Sequence, residues 1–400
     1  MTLAEVFDVL LFRAGFNTAV VLAGAAMLGA GAGLIGVFVL LRRRALVSDA
    51  ISHATLPGVA LGFLAAVGLG LDGRNLPILL VGAASTGILG ILAVQWIRDR
   101  TRLPEDAAIG TVLSVFFGAG IVLLSHIQTL AVGGQAGLDT FLIGQAAAMS
   151  RADALLIGGA AALVVLIALA AFKEFALVCF DPDFAGAGGW RVGRIDLVML
   201  ALLLAVVVIG LKTVGLILII ALVIVPPVAA RFWTERLNRM ALAAALFGAA
   251  SGYLGAAASA LLPRLPAGGV IVLVAGALFV VSLLFAPARG VLAGAVRRLR
   301  FRMAIARRQG LLAVAGGEAI ADPIARLVLR RNGLIDRQDR PTESGRTAAA
   351  AARREQRLWR RYRADYPTDA IADREWSLAP IDAVLPADLV AELERRVAAS

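Results

Sequence analysis

The stretch FNTAVVLAGAAMLGAGAGLIGVFVLLRRRALVSDAISHATLPG, residues 16–58, decides the fold. Its first 26 residues carry no charge. As a helix rising 1.5 Å per residue they reach about 39 Å, more than the roughly 30 Å of a bilayer's hydrocarbon core. Gly24, Gly29, Gly31, Gly33 and Gly36 punctuate the run. In lipid no hydrophobic force drives helices together, so small residues that allow close backbone approach predict a packed bundle rather than a lone anchor. Three arginines, Arg42 to Arg44, close the span, and a second apolar run follows at once. That second run contains an aspartate and a histidine, Asp49 and His53.

The same signal recurs along the chain. Apolar segments fall at roughly 46–70, 76–97, 107–125, 153–172, 195–210, 213–231, 240–262 and 268–286. With mean hydropathy +0.85, the 400-residue chain is too apolar for a water-soluble domain. We expect an all-α polytopic membrane protein of eight or nine transmembrane helices over residues 1–290. The short span at 195–210 and the outer stretch 126–150 set the uncertainty in that count. The stretch includes LDTFLIGQAAAM, too short to cross and read as re-entrant or interfacial. The amino end, MTLAEVFDVL, reads without a cleavable secretory leader.

Arginines set the orientation. With the amino terminus outside and nine alternating spans, the inner loops receive Arg42–Arg44, then Arg98, Arg100 and Arg102, and then Lys173, Arg191 and Arg194. Arg231, Arg236 and Arg239 and the tail complete the inner set, whereas the outer side receives only Arg13, Arg74, Arg151, Lys212 and Arg264. The positive-inside rule then predicts the amino terminus out and the carboxyl terminus in. Residues 291–400 are different in kind. From Pro287 onward there are 22 arginines, no lysine and 14 acids. This reads as a small basic cytoplasmic tail, mainly helical. The expected order there is a helix, a glycine turn, a short hairpin near IDRQDRPT and a helix capped by Thr342 or Ser344.

Asp49 and His53 stand four apart, so on a helix they share one face a turn apart. Ionisable groups inside a span cost about 2.5–3.5 kcal/mol on the insertion scale and mark ion or substrate paths. Carboxylate plus imidazole suits Mn²⁺, Fe²⁺ or Zn²⁺. The other reading of Asp49 is that it caps the second helix and pairs with Arg42–Arg44. Pro57 and Gly58 follow, so a loosened or kinked helix is expected there. His126, at the outer end of the fourth span, reads as solvated or as part of an entry vestibule. A second informative stretch is LKTVGLILIIALVIVPPVAARFWTERLNRM, 211–240. Pro226-Pro227 is expected to stop the helix, after which a short polar segment with Arg231, Thr234, Glu235, Arg236 and Arg239 lies on the inner surface, either an ordinary loop of positive-inside arginines or a coupling helix that docks a cytoplasmic partner. No nucleotide-cradling G-x-x-x-x-G-K-[ST] loop occurs, nor an H-E-x-x-H motif, so an enzyme is not expected and any ATPase is a separate subunit. The single cysteine, Cys179, leaves no intrachain disulfide and no cysteine cluster.

RRRALVSDAISHATLPGVALGF (42–63) resembles the signature of the zinc/manganese/iron permeases of ABC importers. EDAAIGTVLSVFFGAGIVLLS (105–125), LKTVGLILIIALVIVPPVAAR (211–231) and LPAGGVIVLVAGALFVVSLLFAPARG (265–290) resemble the same family in order. The resemblance implies a type II importer permease bundle in the bacterial inner membrane. It implies two permease subunits, identical or sister chains, around a pathway, with cytoplasmic ATPases and a metal-binding lipoprotein or periplasmic protein as partners. Asp49 and His53 fall on the family's metal-path positions, and Pro227 to Arg239 on the ATPase-contacting segment. The metal is cargo, so no resident cofactor is expected. Alternatives are an iron-chelate permease and a membrane-tethered metal-dependent regulator. LVLRRNGLIDRQDRPTESGRTAAAAARREQRLWRRY (327–362) and APIDAVLPADLVAELERRV (379–397) resemble the wing, linking helix and dimerisation helices of diphtheria-toxin-repressor type regulators. Gln356 stands where those regulators carry a histidine, and Asp382-Ala383 where they carry Glu-His. These departures argue against metal sensing and against DNA as a partner. They leave membrane lipids or another subunit as the tail's contact.

Overall fold

The computed structural model describes residues 7–9, 11, 13, 16–73, 75–130, 151–213, 215–262, 265–369 and 378–398. The described residues divide into two compact units, 1–293 and 294–400. Both are helical, with one isolated antiparallel bridge and no named strand among the described residues.

In the first unit every predicted apolar segment forms a helix. These are α1 (Phe16–Leu41), α2 (Ala45–Gly68), α3 (Leu76–Arg100), α4 (Glu105–Thr129) and α5 (Arg151–Ala170). Then come α6 (Phe172–Phe180), α7 (Pro182–Ala187), α8 (Val192–Thr213), α9 (Leu216–Arg231), α10 (Leu237–Leu261) and α11 (Ala267–Phe285). Seven of them are long and apolar enough to cross a bilayer, and the pair α5 and α6, bent by 63°, brings the number to as many as eight where the pair forms one broken span. The segment around 195–210 is a full 22-residue helix. The short one is α9, whose 16 residues reach only about 24 Å. The predicted outer element at 131–150 lies outside the described residues.

Small residues set the packing. α1 lies along α10, and a methyl added at Gly29, Gly33 or Gly252 would collide with the carbonyl of Gly248, Ala244 or Ala25 respectively. α2 meets α3 in the same way, Gly58 against the carbonyl of Gly82. Larger side chains fill the spaces between these contacts. Phe38 near the end of α1 is fully buried and stacks edge-on against Phe172 and Phe175 of the bent pair, at 5.4 and 5.2 Å.

One proline expectation needs correction. Pro226-Pro227 does not stop its helix; α9 continues through both to Arg231. Pro227 has no N–H for the carbonyl of Val223. That oxygen instead packs onto Gly36 of α1, where any side chain would collide with it. The oxygen is thus packed against a neighbouring helix inside the bundle, the setting in which helices in lipid tolerate proline. Pro57 lies inside α2, which runs from Ala45 to Gly68.

The second unit holds α12 from Gly294 onward (the helix spans Val291–Gly316), α13 (Pro323–Arg331), α14 (Glu343–Asp365), α15 (Ile381–Val384) and α16 (Ala387–Ala398). Asp322 caps α13 by accepting from the Ile324 N–H at 2.9 Å. Thr342 caps α14 by accepting from the Gly345 N–H at 3.1 Å. Between them Gly333 turns the chain at φ +65° and Ile335 bridges Pro341. The helix, turn, hairpin and capped helix follow the order read from sequence. One core gathers Leu311, Leu329, Leu334, Ile335 and Ala349; the other gathers Leu358, Trp359, Tyr362, Ile381 and Leu393.

Candidate functional site

α1 and α2 are joined by a corner of three arginines. Arg43 takes a left-handed conformation at φ +57°, which reverses the chain in the space of Arg42–Arg44. α2 then starts at Ala45 with no side-chain cap. Asp49 and His53 follow one and two turns in.

The capping and arginine-pairing reading of Asp49 is not what the structure shows. Arg42 and Arg44 are taken by other acids. Arg42 Nη2 lies 2.8 Å from Asp196 Oδ2 on α8, and Arg44 Nη1 lies 3.2 Å from the same oxygen. Arg44 Nε also meets Glu105 Oε1 of α4 at 2.9 Å. Arg42 Nη1 donates to the Val178 carbonyl at 3.1 Å, tying in α6. Asp49 does not cap α2. Its Oδ1 lies 3.3 Å from His53 Nε2, the (i, i+4) contact expected of one helix face. The Asp49 side chain is 37% exposed and that of His53 19%, so the pair opens at the helix surface instead of being sealed in the core.

The surroundings of the pair carry three further features. The His53 ring stands edge-on to Phe117 of α4, centroids 4.9 Å apart. The other ring nitrogen, Nδ1, is buried with no protein partner. Pro57 has no N–H to return to the His53 carbonyl, so that oxygen lacks the usual i+4 donor of the helix ladder. On the far side of α4, methyls added at Gly110 or Gly118 would meet nothing within 4 Å. Neighbouring hydroxyls are already used: Ser52 donates to the Ser48 carbonyl at 2.8 Å and Thr55 to the Ser52 carbonyl at 2.6 Å. Among the described residues no group of three or more His, Cys, Asp or Glu converges on a common point. One chain therefore presents an acid and an imidazole, which is fewer donors than a divalent ion takes.

The comparisons with known proteins follow the same residues. The chain matches the ABC 3 transport family over residues 16–286. It belongs to that family. It is 44% identical over 298 residues to the manganese transport system membrane protein MntC of Bacillus subtilis, covering 74% of this chain and 67% of that protein. It is 42% identical over 281 residues to the zinc transport system membrane protein TroC of Treponema pallidum, covering 70% of this chain and 92% of that one. Among solved structures it is similar to PsaBC from Streptococcus pneumoniae in complex with Fab, with TM-score 0.61 and 31% identity over 72% of this chain and 98% of that chain. The family member is thus a helical, multi-pass membrane protein, and the match ends where the basic tail begins.

Of the two shapes expected for the coupling segment, the loop is the one that forms. Pro227 and Arg231 are inside α9, Thr234, Glu235 and Arg236 lie in the loop 232–236, and Arg239 is in the first turn of α10. No separate helix forms, because α9 consumes the residues up to Arg231 and α10 starts at Leu237. The loop is nonetheless fixed. Trp233 Nε1 donates to Ser282 Oγ at 2.9 Å, the Arg289 N–H donates to the Phe232 carbonyl at 3.1 Å, and the Arg289 guanidinium pairs with Glu235 at 2.9 Å. Arg231, Glu235, Arg236 and Arg239 stand exposed around it.

His126 is exposed at the end of α4. In the tail, Asp382 is held by Arg354 at 3.3 Å, and Gln356 lines a small cavity with Arg308 and Arg363. Sequence reading missed Asp196. It is the only acid between Asp183 and Glu235, and it sits one turn inside an apolar helix. That isolation was the available signal.

Proposed function

We propose that this chain is the permease subunit of an ATP-driven importer of a divalent transition-metal ion, Mn²⁺ or Zn²⁺, with Fe²⁺ also compatible with the donors. The observation that carries the reading is the Asp49–His53 contact, partly open on α2 and unclaimed by Arg42 and Arg44. Family membership and the names of the manganese and zinc relatives support the cargo.

In this reading the ion comes from a metal-binding lipoprotein or periplasmic protein and enters a passage between two permease subunits. Asp49 offers a carboxylate and His53 a neutral imidazole nitrogen. Entry of the cation separates the 3.3 Å contact by giving both groups a shared positive partner. Two such chains, identical or sister, supply four side-chain donors. That is a set weak enough to release its ion, as conduction requires. ATP is hydrolysed on separate cytoplasmic subunits, which dock on the exposed arginines and Glu235 of the 227–239 corner. The arginine distribution supports an amino terminus outside and a carboxyl terminus in the cytoplasm. No resident cofactor is needed, because the metal is the cargo.

The test is metal accumulation in cells carrying Asp49→Ala or His53→Ala at matched membrane expression. Each substitution is expected to abolish uptake of the cargo ion above background. Wild-type uptake by both variants would remove the pair from the pathway. Competition between free ions and iron chelates for the same uptake separates this reading from a chelate permease.

A further inference from the structure

We infer that the first half of α12 is a membrane-surface helix that seats on anionic lipid in the leaflet where α11 ends. Leu292, Val296, Leu299 and Met303 follow one another at intervals of four, three and four residues, so they form a single stripe along α12. All four are uncovered, 47%, 46%, 57% and 36% exposed. The same spacing continues to Ala306 and Gly310, and there the stripe is buried, with Gly310 against Leu329 and Ala325 of α13. One helix face thus has a protein partner in its second half and none among the described residues in its first half.

Charge selects the occupant. Arg300 and Arg302 lie on either side of the stripe, about 80° from its centre at 100° per residue, and Arg297 and Arg298 lie beyond them. From Pro287 to Gly317 the chain has seven arginines and no acid. A second copy of this stripe would bring arginine against arginine at the flanking positions, which disfavours self-pairing. An anionic headgroup layer answers both halves of the pattern: apolar side chains enter the acyl boundary while guanidiniums meet phosphates. The stripe begins seven residues after Phe285, the end of a span, so chain length keeps it at the bilayer surface.

The full chain can report this directly. Cys179→Ser removes the only cysteine. An environment-sensitive fluorophore is then placed through Leu299→Cys on the stripe, or through Phe301→Cys on the opposite face. The protein is reconstituted in phosphatidylcholine alone or with added phosphatidylglycerol, with and without spin-labelled quencher lipid. The expected result is blue-shifted, lipid-quenched emission at position 299 but not at 301, rising with anionic lipid and falling with salt. Each arginine near an anionic surface favours seating about fivefold, so Arg300→Gln with Arg302→Gln lowers the ratio of seated to free helix about thirtyfold. Equal quenching at 299 and 301, or no dependence on anionic lipid, would overturn the inference. So would disulfide-linked dimers through Leu299→Cys, or shielding at 299 that appears only when the ATPase subunits are added.

Discussion

Asp196→Asn removes one charge and little volume from the buried network at the α1–α2 corner. Asp196 is 4% exposed, and a single oxygen, Oδ2, serves Arg42 at 2.8 Å and Arg44 at 3.2 Å. At an effective dielectric near 20 each of these attractions is roughly 5 kcal/mol before desolvation is counted. Desolvation cancels much of the gross figure in the native protein. It does not cancel the loss on substitution, since Arg42 would stay largely buried with no acid. Arg44 retains Glu105 at 2.9 Å, so Arg42 bears the greater loss. Breaking a buried pair in this way costs about 3–5 kcal/mol. Unfolding of the detergent-solubilised chain, followed by helix signal in a denaturing-detergent titration, measures it. The double variant Arg42→Met with Asp196→Leu removes both charges and should recover to within about 2 kcal/mol of the parent. A loss under about 1 kcal/mol in Asp196→Asn, or a double variant as unstable as the single, would refute the assignment of that corner to charge pairing.

Gly29→Val drives a branched side chain into the Gly248 carbonyl and should destabilise the α1–α10 pair by at least about 1–3 kcal/mol, read by thermal unfolding and by yield of monodisperse protein. Arg43→Gly should leave yield unchanged or raise stability by about 1 kcal/mol, because an exposed non-glycine residue now occupies a left-handed conformation. Glu235→Lys breaks only an exposed pair with Arg289, so stability should move by less than about 1 kcal/mol while metal-stimulated ATP turnover of the assembled importer falls. Tyr362 donates to Asp369 at 2.6 Å, and that bond to a carboxylate, together with burial, raises its pKa from 10.0 to about 12. The folded tail keeps a proton that the unfolded chain releases near pH 10. The contribution is therefore intact below pH 10 and lost as pH rises toward 12. Tyr362→Phe should flatten that part of the stability–pH profile.

The membrane part of the fold was legible because burial in lipid leaves long uncharged runs, and all nine apolar segments are helices. What the runs do not encode is where a lost backbone bond is tolerated. Pro226-Pro227 reads as a stop in water, yet α9 continues through both, with the Val223 carbonyl packed against Gly36 on a helix nearly 190 residues earlier. That pairing is a tertiary fact, invisible to local propensity. The loop form of the coupling corner follows from the same extension: with α9 carried to Arg231, too few residues remain for a surface helix. The Asp49–His53 contact was legible because spacing along one helix is local. The identity of the arginines' partners was not, because Asp196 and Glu105 lie far along the chain from Arg42 and Arg44.

The two halves of the corner divide the labour between structure and exposure. Arg42, Arg44, Asp196 and Glu105 carry two positive and two negative charges, so the group is neutral and needs no outside ion. It joins α1, α2, α4 and α8 at one point and fixes the direction in which α2 leaves the turn. Asp49 and His53 lie just beyond it, and because Arg42 and Arg44 pair with Asp196 and Glu105, they do not neutralise the Asp49 carboxylate. Were Arg42 or Arg44 to turn to Asp49, the pair would lose its negative charge and with it any attraction for a cation. The buried network therefore does more than stabilise a bend. It holds two guanidiniums away from the carboxylate that the proposed pathway needs, so Asp196→Asn should impair metal uptake even in cells where the folded chain accumulates normally. Full uptake by that variant at matched folded protein would confine the network to a structural role.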